Sequence, residues 1–357
     1  MSSMDLGEDL AGGKAESLPE FPDGKRYRTY VGYSREKYGE RLQKLVIDAG
    51  FTCPNRDGTV GWGGCTYCDN AAFHPGYSSP GKSIAEQLSE GIEFHKVRYR
   101  NAGHYLAYFQ SYSNTYAPLP VLLERWGEAL SHPSVVGIVV GTRPDCVDGE
   151  KLDALAALCN RPFEVARGRF ERPVVVVEYG IESCYDLTLR HINRGHDFAC
   201  AQRAVAMTAE RGLDVGAHFI FGLPGETPAM MLDECAMIND LPLTSVKFHQ
   251  LQIIKGTAME REEASHPERF TRWTLDEYLS FIVSVLQRLR PTLAIERVAG
   301  EVPPRFVNES RWGLIRNFEI LRLLDARLSE VGAFQGQLLG TQPSSLDASR
   351  EQALRLP

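Results

Sequence analysis

The sequence predicts an α/β fold built as an open, partial (β/α)6 barrel. Three observations support this fold: strand-like and helix-like segments alternate, six strands start roughly 30 to 60 residues apart, and one strand carries a run of four valines typical of a sheet buried on both faces. Such alternation predicts a parallel sheet with right-handed crossovers, and six units are too few for a closed eight-stranded barrel. A doubly wound sheet is the alternative.

The individual elements follow from the spacing of apolar residues. Strands are predicted at residues 44–49, 104–110, 135–141, 173–179, 215–222 and 245–254. Helices are predicted at residues 83–98, 119–130, 149–158, 198–211, 227–239 and 275–289. Ser83 is expected to begin the first helix as its N-cap, with Glu86 three residues later completing a capping box.

Composition and charge limit the function classes. Hydrophobic residues make up 43% of the 357 residues, which is enough for a large core, and the net charge of −7 argues against a broad phosphate-binding surface. No apolar run reaches the ~20 residues of a membrane span, and the start lacks the features of a signal peptide. We therefore expect a cytoplasmic protein with reduced thiols and no membrane partner.

The chain is expected to divide into four parts. Residues 1–25 and 334–357 lack apolar periodicity and are predicted to be disordered tails. Residues 26–293 would form the core, which includes a cysteine-bearing loop at 50–76, and residues 294–333 an α-rich capping extension.

Three cysteines lie on the Gly-rich loop that follows the first predicted strand. Cys53, Cys65 and Cys68 are separated by eleven and two residues. Three thiolates on one loop suit a [4Fe–4S] cluster with one iron free of protein ligands. The alternative is a structural zinc site of the Cys3His type with His74 as the fourth ligand. The loop follows a strand, where the bound groups of such folds gather, and this position favours a catalytic cofactor.

Polar residues follow or end the other predicted strands. They are Gln110 and Ser111 after the second, Arg143 after the third, Glu178 and Glu182 on the fourth, His218 on the fifth, and Lys247 and His249 on the sixth. The carboxyl ends of parallel strands meet at one edge of a sheet, so these side chains are expected to converge on one mouth. A cofactor pocket is predicted there.

Seven motifs in fixed order carry a family resemblance. They are CPNRDGTVGWGGCTYC, YFQSYSNTYAP, GTRPDC, VEYGIES, HINRGHDF, HFIFGLPGET and KFHQLQIIKGT. In these motifs the chain resembles the radical S-adenosylmethionine (SAM) proteins, and among them the YhcC-like family, which is related to elongator-type radical SAM domains. The resemblance covers residues 26–333. It implies a partial, TIM-like radical SAM barrel, a [4Fe–4S] cluster and reductive cleavage of SAM to a 5′-deoxyadenosyl radical.

The resemblance also implies roles for single residues. Tyr67 would pack on the adenine of SAM, and Gln110 and Ser111 would receive its amine, where many relatives carry Gly-Gly-Glu. Glu182 would hold the ribose hydroxyls, His218 would touch the ribose, and Arg194 would pair with the carboxylate. Glu178 is a further cofactor-binding candidate, because strand alternation places it on the same face as Glu182.

Lys247, His249 and Arg143 are the candidates for contact with the substrate. The alternatives are loop packing for Tyr67, a solvated surface arginine for Arg194 and a core histidine for His218. For Lys247, His249 and Arg143 the alternative is support of neighbouring site residues.

Two functions from different classes fit these observations. The first is a radical SAM enzyme that takes electrons from an external one-electron donor, such as a flavodoxin or ferredoxin, and acts on an unidentified substrate, either RNA or a small molecule. The second is a non-catalytic binding module stabilised by zinc. The elongator kinship favours tRNA, but only the local run Lys96, Arg98 and Arg100 and the arginines of residues 161–172 offer a path for phosphates.

Overall fold

The computed structural model describes residues 19–96, 103–309, 312–313 and 315–339. Within these ranges seven parallel strands form one sheet in the order of the chain. The strands are β1 (Gln43–Ile47), β2 (Tyr105–Phe109), β3 (Val135–Thr142), β4 (Val174–Glu182), β5 (Asp214–Phe221), β6 (Ser245–Gln250) and β7 (Ala294–Arg297). Each strand pairs in parallel with the next. The predicted parallel α/β partial barrel is therefore confirmed.

Ten α-helices join or flank the strands in the described part of the chain. They are α1 (Tyr30–Tyr38), α2 (Ile84–Lys96), α3 (Leu119–Ser131), α4 (Gly149–Asn160), α5 (Asp186–His191), α6 (Phe198–Ala209), α7 (Pro228–Asp240), α8 (Ala258–Ser265), α9 (Leu275–Arg288) and α10 (Asn317–Glu330). The predicted capping box at α2 is present, because Ser83 Oγ accepts the Glu86 N–H and the Glu86 carboxylate accepts the Ser83 N–H. No described helix is long and apolar enough to cross a membrane.

Alternate strand residues face the helices and form the main core. Ile47, Tyr179, Phe219 and Phe248 are all fully buried on this face, together with Trp126 of α3. The other face of each strand lines the inside of the partial barrel, as period-two geometry requires. This separation leaves the inner face for polar groups.

The amino-terminal end of the barrel interior is closed by side chains. Leu106, Val139 and Val176 form a second, smaller apolar cluster there. Helix α1 adds Tyr33 and Lys37, whose polar atoms bond the carboxylate of Asp214 at the start of β5. The carboxyl-terminal end is left to the loops that carry the predicted site.

The structure differs from the prediction at both ends of the domain. Ala294–Arg297 forms a seventh strand in the segment assigned to the capping extension, and it is too short for apolar alternation to mark it. Phe21 and Gln335, assigned to the tails, are buried. The Gln335 side-chain amide donates to the carbonyls of Arg290 and Leu293, so the ordered domain extends further than predicted. Residues 1–18 and 340–357 of the predicted tails lie outside the described residues.

Candidate functional site

The cysteine loop follows β1 at the carboxyl edge of the sheet, as predicted. Cys53 and Cys65 are buried and Cys68 is half-buried. Two tight turns shape the loop: the Arg56 N–H donates to the Cys53 carbonyl at 2.9 Å and the Cys68 N–H to the Cys65 carbonyl at 3.0 Å. Burial, followed by the neighbouring Cys65 thiolate, raises the pKa of Cys68. The two thiols of the C-x-x-C pair are thus near neighbours.

A turn after α5 holds this loop in place. The Asn55 amide donates to the Asn193 carbonyl, and the Asn193 amide donates to the Gly64 carbonyl at 2.8 Å. The Thr66 N–H donates to the Ile192 carbonyl at 3.0 Å. Asn193 has a φ of 54°, in the left-handed region that asparagine tolerates better than most residues. Asn55 and Asn193 escaped the sequence analysis because nothing in the pattern marks their mutual contact.

Arg194 lies next to one of the three cysteines. Its Nη1 is 3.4 Å from Cys65 Sγ, its Nη2 donates to the Gly180 carbonyl at 2.5 Å, and Glu182 Oε1 is 3.6 Å away. Burial acts to lower the pKa of this guanidinium, but Tyr67, Cys65 and Glu182 outweigh it and raise the pKa well above its ordinary value. A permanent buried cation therefore stands beside the thiols.

The end of β4 is shaped to bring Glu182 to Arg194. Glu182 has a φ of 75°, and the pairing of β4 with β5 shifts register between Gly180 and Glu182. A Cβ on Gly180 would lie 2.5 Å from Glu182 Oε1 and 2.8 Å from Arg194 Nη2. Only glycine therefore leaves room for both side chains. Tyr67 is half-buried and packs on the small cluster that includes Ile192.

Arg143 lies buried at the turn after β3. It is 2% exposed, it pairs with both oxygens of Asp145 at 2.8 Å, and it donates to the Arg194 carbonyl at 2.6 Å. These contacts tie the turn after β3 to the Arg194 turn. Arg143 thus helps to hold Arg194, which in turn contacts Cys65 on the cysteine loop. The role of Arg143 in contacting substrate stays a prediction.

A charged network fills the middle of the barrel interior. Glu178 Oε1 pairs with Lys44 at 2.5 Å, and Glu178 Oε2 pairs with Lys247 at 2.6 Å and with His218 Nε2 at 2.9 Å. Glu296 on β7 bridges the two lysines at 2.6 and 3.2 Å. Burial acts to raise the pKa of Glu178, but Lys247 and Lys44 outweigh it and hold the pKa well below its ordinary value.

Two predicted site residues, Glu178 and Lys247, have their charged groups occupied by this network. Glu178 is 1% exposed with both oxygens occupied, and Lys247 is 5% exposed, so neither presents a free group to a ligand. His218 has one ring nitrogen on Glu178 and its ring lies 5.8 Å from that of His249. Burial, and then Arg297, lowers the pKa of His249 well below its ordinary value, so its ring is neutral.

Gln110 and Ser111 lie at the end of β2, beside the cysteine loop. Gln110 is half-buried, and Ser111 is buried with its Oγ 2.8 Å from His74 Nε2. The other ring nitrogen of His74, Nδ1, lies 3.7 Å from Asp48 Oδ2. His74 is thus engaged by Ser111 and Asp48, which does not support the zinc alternative that needs it as a ligand. Among the described residues, no three His, Cys, Asp or Glu side chains are grouped to hold a single metal ion.

A cavity of about 1620 Å³ opens between β1–β2 and the segment that follows β7. Its described wall includes Tyr108, Gln110 and His74 on one side and Lys247, Glu296, Arg297, Trp273 and Trp312 on the other. The volume exceeds the roughly 300–1,000 Å³ of a pocket for one small ligand. The cavity is therefore larger than one small ligand requires.

Two carboxyl groups are buried together behind the end of β4. Glu226 Oε1 accepts from Ser183 Oγ at 2.6 Å, and Glu234 Oε1 lies 3.3 Å from the same hydroxyl. Burial raises the pKa of Glu226 to about 7, and burial followed by the Glu226 charge raises the pKa of Glu234 well above its ordinary value. At neutral pH the pair thus holds at least one proton.

The raised pKa of Glu226 predicts a loss of stability as the pH rises through neutrality. A carboxyl group with a raised folded-state pKa stabilises the fold at low pH and loses that contribution as the pH rises through about 7. We expect the free energy of unfolding to fall by roughly 1 kcal/mol between pH 6 and pH 8 from Glu226. Urea unfolding across this range should show the fall in the wild type and a flatter profile in Glu226→Gln. Equal slopes in the two proteins would contradict the assignment.

Sequence and structure comparisons agree on one family. The chain matches the Radical SAM superfamily over residues 53–238 and the Radical SAM C-terminal domain over residues 243–330. It is 36% identical to protein YhcC of Escherichia coli K12, covering 88% of this chain and 96% of that protein. It is 33% identical to the uncharacterized protein YtqA of Bacillus subtilis, with coverage of 88% and 92%.

A solved structure supports the fold. The Elp3 protein of the archaeon Methanocaldococcus infernus, with residues 1–46 deleted, superposes with a TM-score of 0.59. The match covers 82% of this chain and 64% of that chain, at 15% identity. At this identity the likeness extends to the arrangement of strands and helices.

Proposed function

The chain belongs to the radical SAM superfamily, and we propose that it is an enzyme that holds a [4Fe–4S] cluster on Cys53, Cys65 and Cys68. The bound cluster and SAM would supply a 5′-deoxyadenosyl radical by one-electron cleavage of SAM. The observation that carries the proposal is the cysteine loop docked against Arg194, whose Nη1 lies 3.4 Å from Cys65 Sγ. A buried cation stabilises thiolates, which are the form that binds iron.

The donor set fits a cluster with one iron left free. Three cysteines lie on the loop, and His74, the fourth candidate ligand, is engaged by Ser111 and Asp48. All eight cysteines of the chain are free of disulfides, which suits the reducing cytoplasm where we expect the protein to work. An external donor such as a flavodoxin or ferredoxin would supply the electron.

The proposed SAM contacts lie around Arg194. Arg194 would hold the carboxylate of SAM, since it is the buried cation at the loop, and Glu182 beside it would accept from the ribose hydroxyls. Tyr67 would pack on adenine, and Gln110 and Ser111 would lie toward the amine. Glu178 would position His218, whose second ring nitrogen remains for the ribose side, and would not contact SAM itself.

The cluster and its chemistry can be tested directly. Protein purified without oxygen should be brown and contain about four irons per chain, as a [4Fe–4S] cluster requires. Dithionite and SAM should then yield 5′-deoxyadenosine. Colourless protein with one tightly held zinc ion and no SAM cleavage would contradict the proposal and favour a zinc-stabilised binding module.

Gly180→Ala should damage the SAM site more than the fold. The new methyl group would collide with the ends of the Glu182 and Arg194 side chains, which can move away at modest cost. Losing one or two well-placed hydrogen bonds should weaken SAM binding about 10-fold or more, since about 1–3 kcal/mol is lost per buried bond. Equilibrium dialysis should show the loss of SAM affinity, and urea unfolding should show a smaller change in the free energy of unfolding. Unchanged SAM affinity would place the ribose and the carboxylate elsewhere.

The substrate is proposed to enter the cavity of about 1620 Å³ beside SAM, and RNA is the first candidate because of the kinship to elongator-type proteins. The basic run is a weak support for this choice, since Lys96 pairs with Glu93 and both Arg98 and Arg100 lie outside the described residues. An RNA substrate predicts retention of RNA that falls steeply with salt. Absence of RNA binding at low salt would favour a small-molecule substrate. Profiling of tRNA modifications and metabolites in a deletion strain would identify either.

A further inference from the structure

The side chain of Arg56 belongs to the cysteine loop, between Cys53 and Cys65 in the chain, and has no role in the site described above. We propose that Arg56 acts through the cluster: its guanidinium holds a positive charge beside Cys68 and makes the [4Fe–4S] cluster easier to reduce. This inference rests on the proposed function, because the three cysteines must hold the cluster. It assigns to Arg56 an effect on the reduction potential of the cluster, and not a contact with SAM.

The cysteine loop folds around the Arg56 side chain, which is half-buried. Its Nη2 donates to the carbonyl of Cys68 at 2.8 Å. Gly64, directly before Cys65, has a φ of 80°, and a Cβ there would lie 2.9 Å from Arg56 Nε and 3.0 Å from its Cζ. Glycine at position 64 therefore lets the guanidinium lie against the backbone of the loop.

An aromatic ring from the turn after β2 also contacts the guanidinium. The guanidinium carbon of Arg56 lies 5.7 Å from the centre of the Tyr112 ring, within the range of a cation–π contact. Tyr112 has a φ of 61°, a backbone conformation that surrounding contacts must hold in place. One such contact is next to it, since the Ser113 N–H donates to the carbonyl of Thr52 at 3.2 Å. The guanidinium is thus held against the loop.

Arg56 and the thiol of Cys68 stabilise each other's charged forms. Burial acts to lower the pKa of Arg56, but Cys68, followed by Tyr112 and Cys53, outweighs it and raises the pKa above its ordinary value. Burial and the Cys65 thiolate raise the pKa of Cys68, and Arg56 opposes them. Arg194 contacts the thiol of Cys65. Each thiol of the C-x-x-C pair therefore has a cation beside it.

A cation in this position favours the reduced cluster. Reduction by the external one-electron donor adds one negative charge to the cluster. A fixed positive charge stabilises this form more than the oxidised form, and the potentials of iron–sulfur clusters respond to nearby charge. Because Arg56 is half-exposed, water and salt screen part of its charge, so we expect a moderate effect. Arg56 is a cleaner test than Arg194, since it is not one of the proposed SAM contacts.

Arg56→Gln removes the charge and keeps an N–H donor on the side chain. The measurement is a redox titration of the cluster-loaded protein, without SAM, followed by EPR. At a fixed potential the ratio of reduced to oxidised cluster should fall about 10-fold, which is about 59 mV for one electron. Arg56→Lys retains the charge and should stay within about 2-fold of the wild type.

Arg288→Gln is the matched control. Arg288 of α9 is also half-buried, and its Nη1 donates to a backbone carbonyl, that of Ser284, at 2.9 Å. It lies outside the cysteine loop and the cavity wall, so its removal should leave the potential of the cluster unchanged. The control separates the loss of a charge beside the cysteines from the loss of any arginine.

The outcomes separate this inference from the proposed function. Equal potentials in the wild type and Arg56→Gln, each with about four irons, would overturn the inference while wild-type SAM cleavage stands. A fall in Arg56→Lys as large as in Arg56→Gln would also overturn it, because the shape of the side chain and not its charge would then matter. If Arg56→Gln fails to hold its iron, Arg56→Lys decides alone: a wild-type potential supports the inference, and an about 10-fold fall contradicts it. If the wild type holds no cluster, the proposed function fails first.

Discussion

Glu178→Gln is expected to lower the free energy of unfolding by about 3–5 kcal/mol, which is the usual cost of breaking a buried ion pair from one side. Glu178 is the shared partner of Lys44 and Lys247, and all three lie inside the barrel. A neutral amide would leave two buried ammonium groups with only Glu296 to balance them. Urea unfolding at neutral pH measures the loss.

The same residue predicts how the fold responds to acid. The pKa of Glu178 is held well below its ordinary value of 4.5, so its stabilising contribution is complete above that value and disappears as the pH falls through the folded-state pKa. The wild type should therefore lose stability in acid more steeply than Glu178→Gln. Equal loss of stability with falling pH in the wild type and in Glu178→Gln would contradict the stabilising role of this carboxylate.

An exposed pair provides the control for this prediction. Lys82 and Glu90 are 2.6 Å apart, with side chains 35% and 49% exposed. Glu90→Gln should change the free energy of unfolding by about 0–1 kcal/mol, because water already solvates both charges. A similar loss in the two variants would mean that burial adds nothing to the Glu178 contacts.

The sequence predicted the fold where local periodicity determines it. On β5, Val215, Ala217 and Phe219 alternate with polar or small residues, and the predicted strand at 215–222 matches Asp214–Phe221 within one residue. Strand β7 was missed because four residues carry too little pattern. Its place is set by contacts far apart in sequence, such as the bridge between Thr29 and Ile295.

The sequence places the candidate residues at the strand ends, but their contacts were only partly predictable. Strand order brings the candidate residues on the strands to the barrel interior or its carboxyl edge, but strand register decides which charges meet. Lys44 appeared only as the start of a strand, yet it pairs with Glu178, 134 residues away. Likewise nothing local indicates that His74 meets Ser111. Such long-range pairings require the three-dimensional structure.

Cys65→Ala should abolish SAM cleavage and remove most of the bound iron. Cys65 is the buried thiol of the C-x-x-C pair and the one that contacts Arg194, at 3.4 Å from Nη1. Loss of one thiolate leaves two irons of the proposed cluster without a protein ligand, so most of the iron should be lost. Iron content, the visible absorption of the cluster and 5′-deoxyadenosine yield with dithionite measure the effect.

A cysteine away from the loop distinguishes this loss from a general thiol effect. Cys159 lies near the end of α4, half-buried and outside the site, so Cys159→Ala should retain about four irons and the wild-type yield. Urea unfolding of cluster-free Cys65→Ala should remain close to that of the cluster-free wild type, because Asn55 and Asn193 still dock the loop. A variant that folds in this way, loses iron and makes no 5′-deoxyadenosine identifies Cys65 as a ligand. A Cys65→Ala variant that keeps its iron and its 5′-deoxyadenosine yield would contradict the placement of the cluster on this loop. It would contradict the proposed SAM site as well.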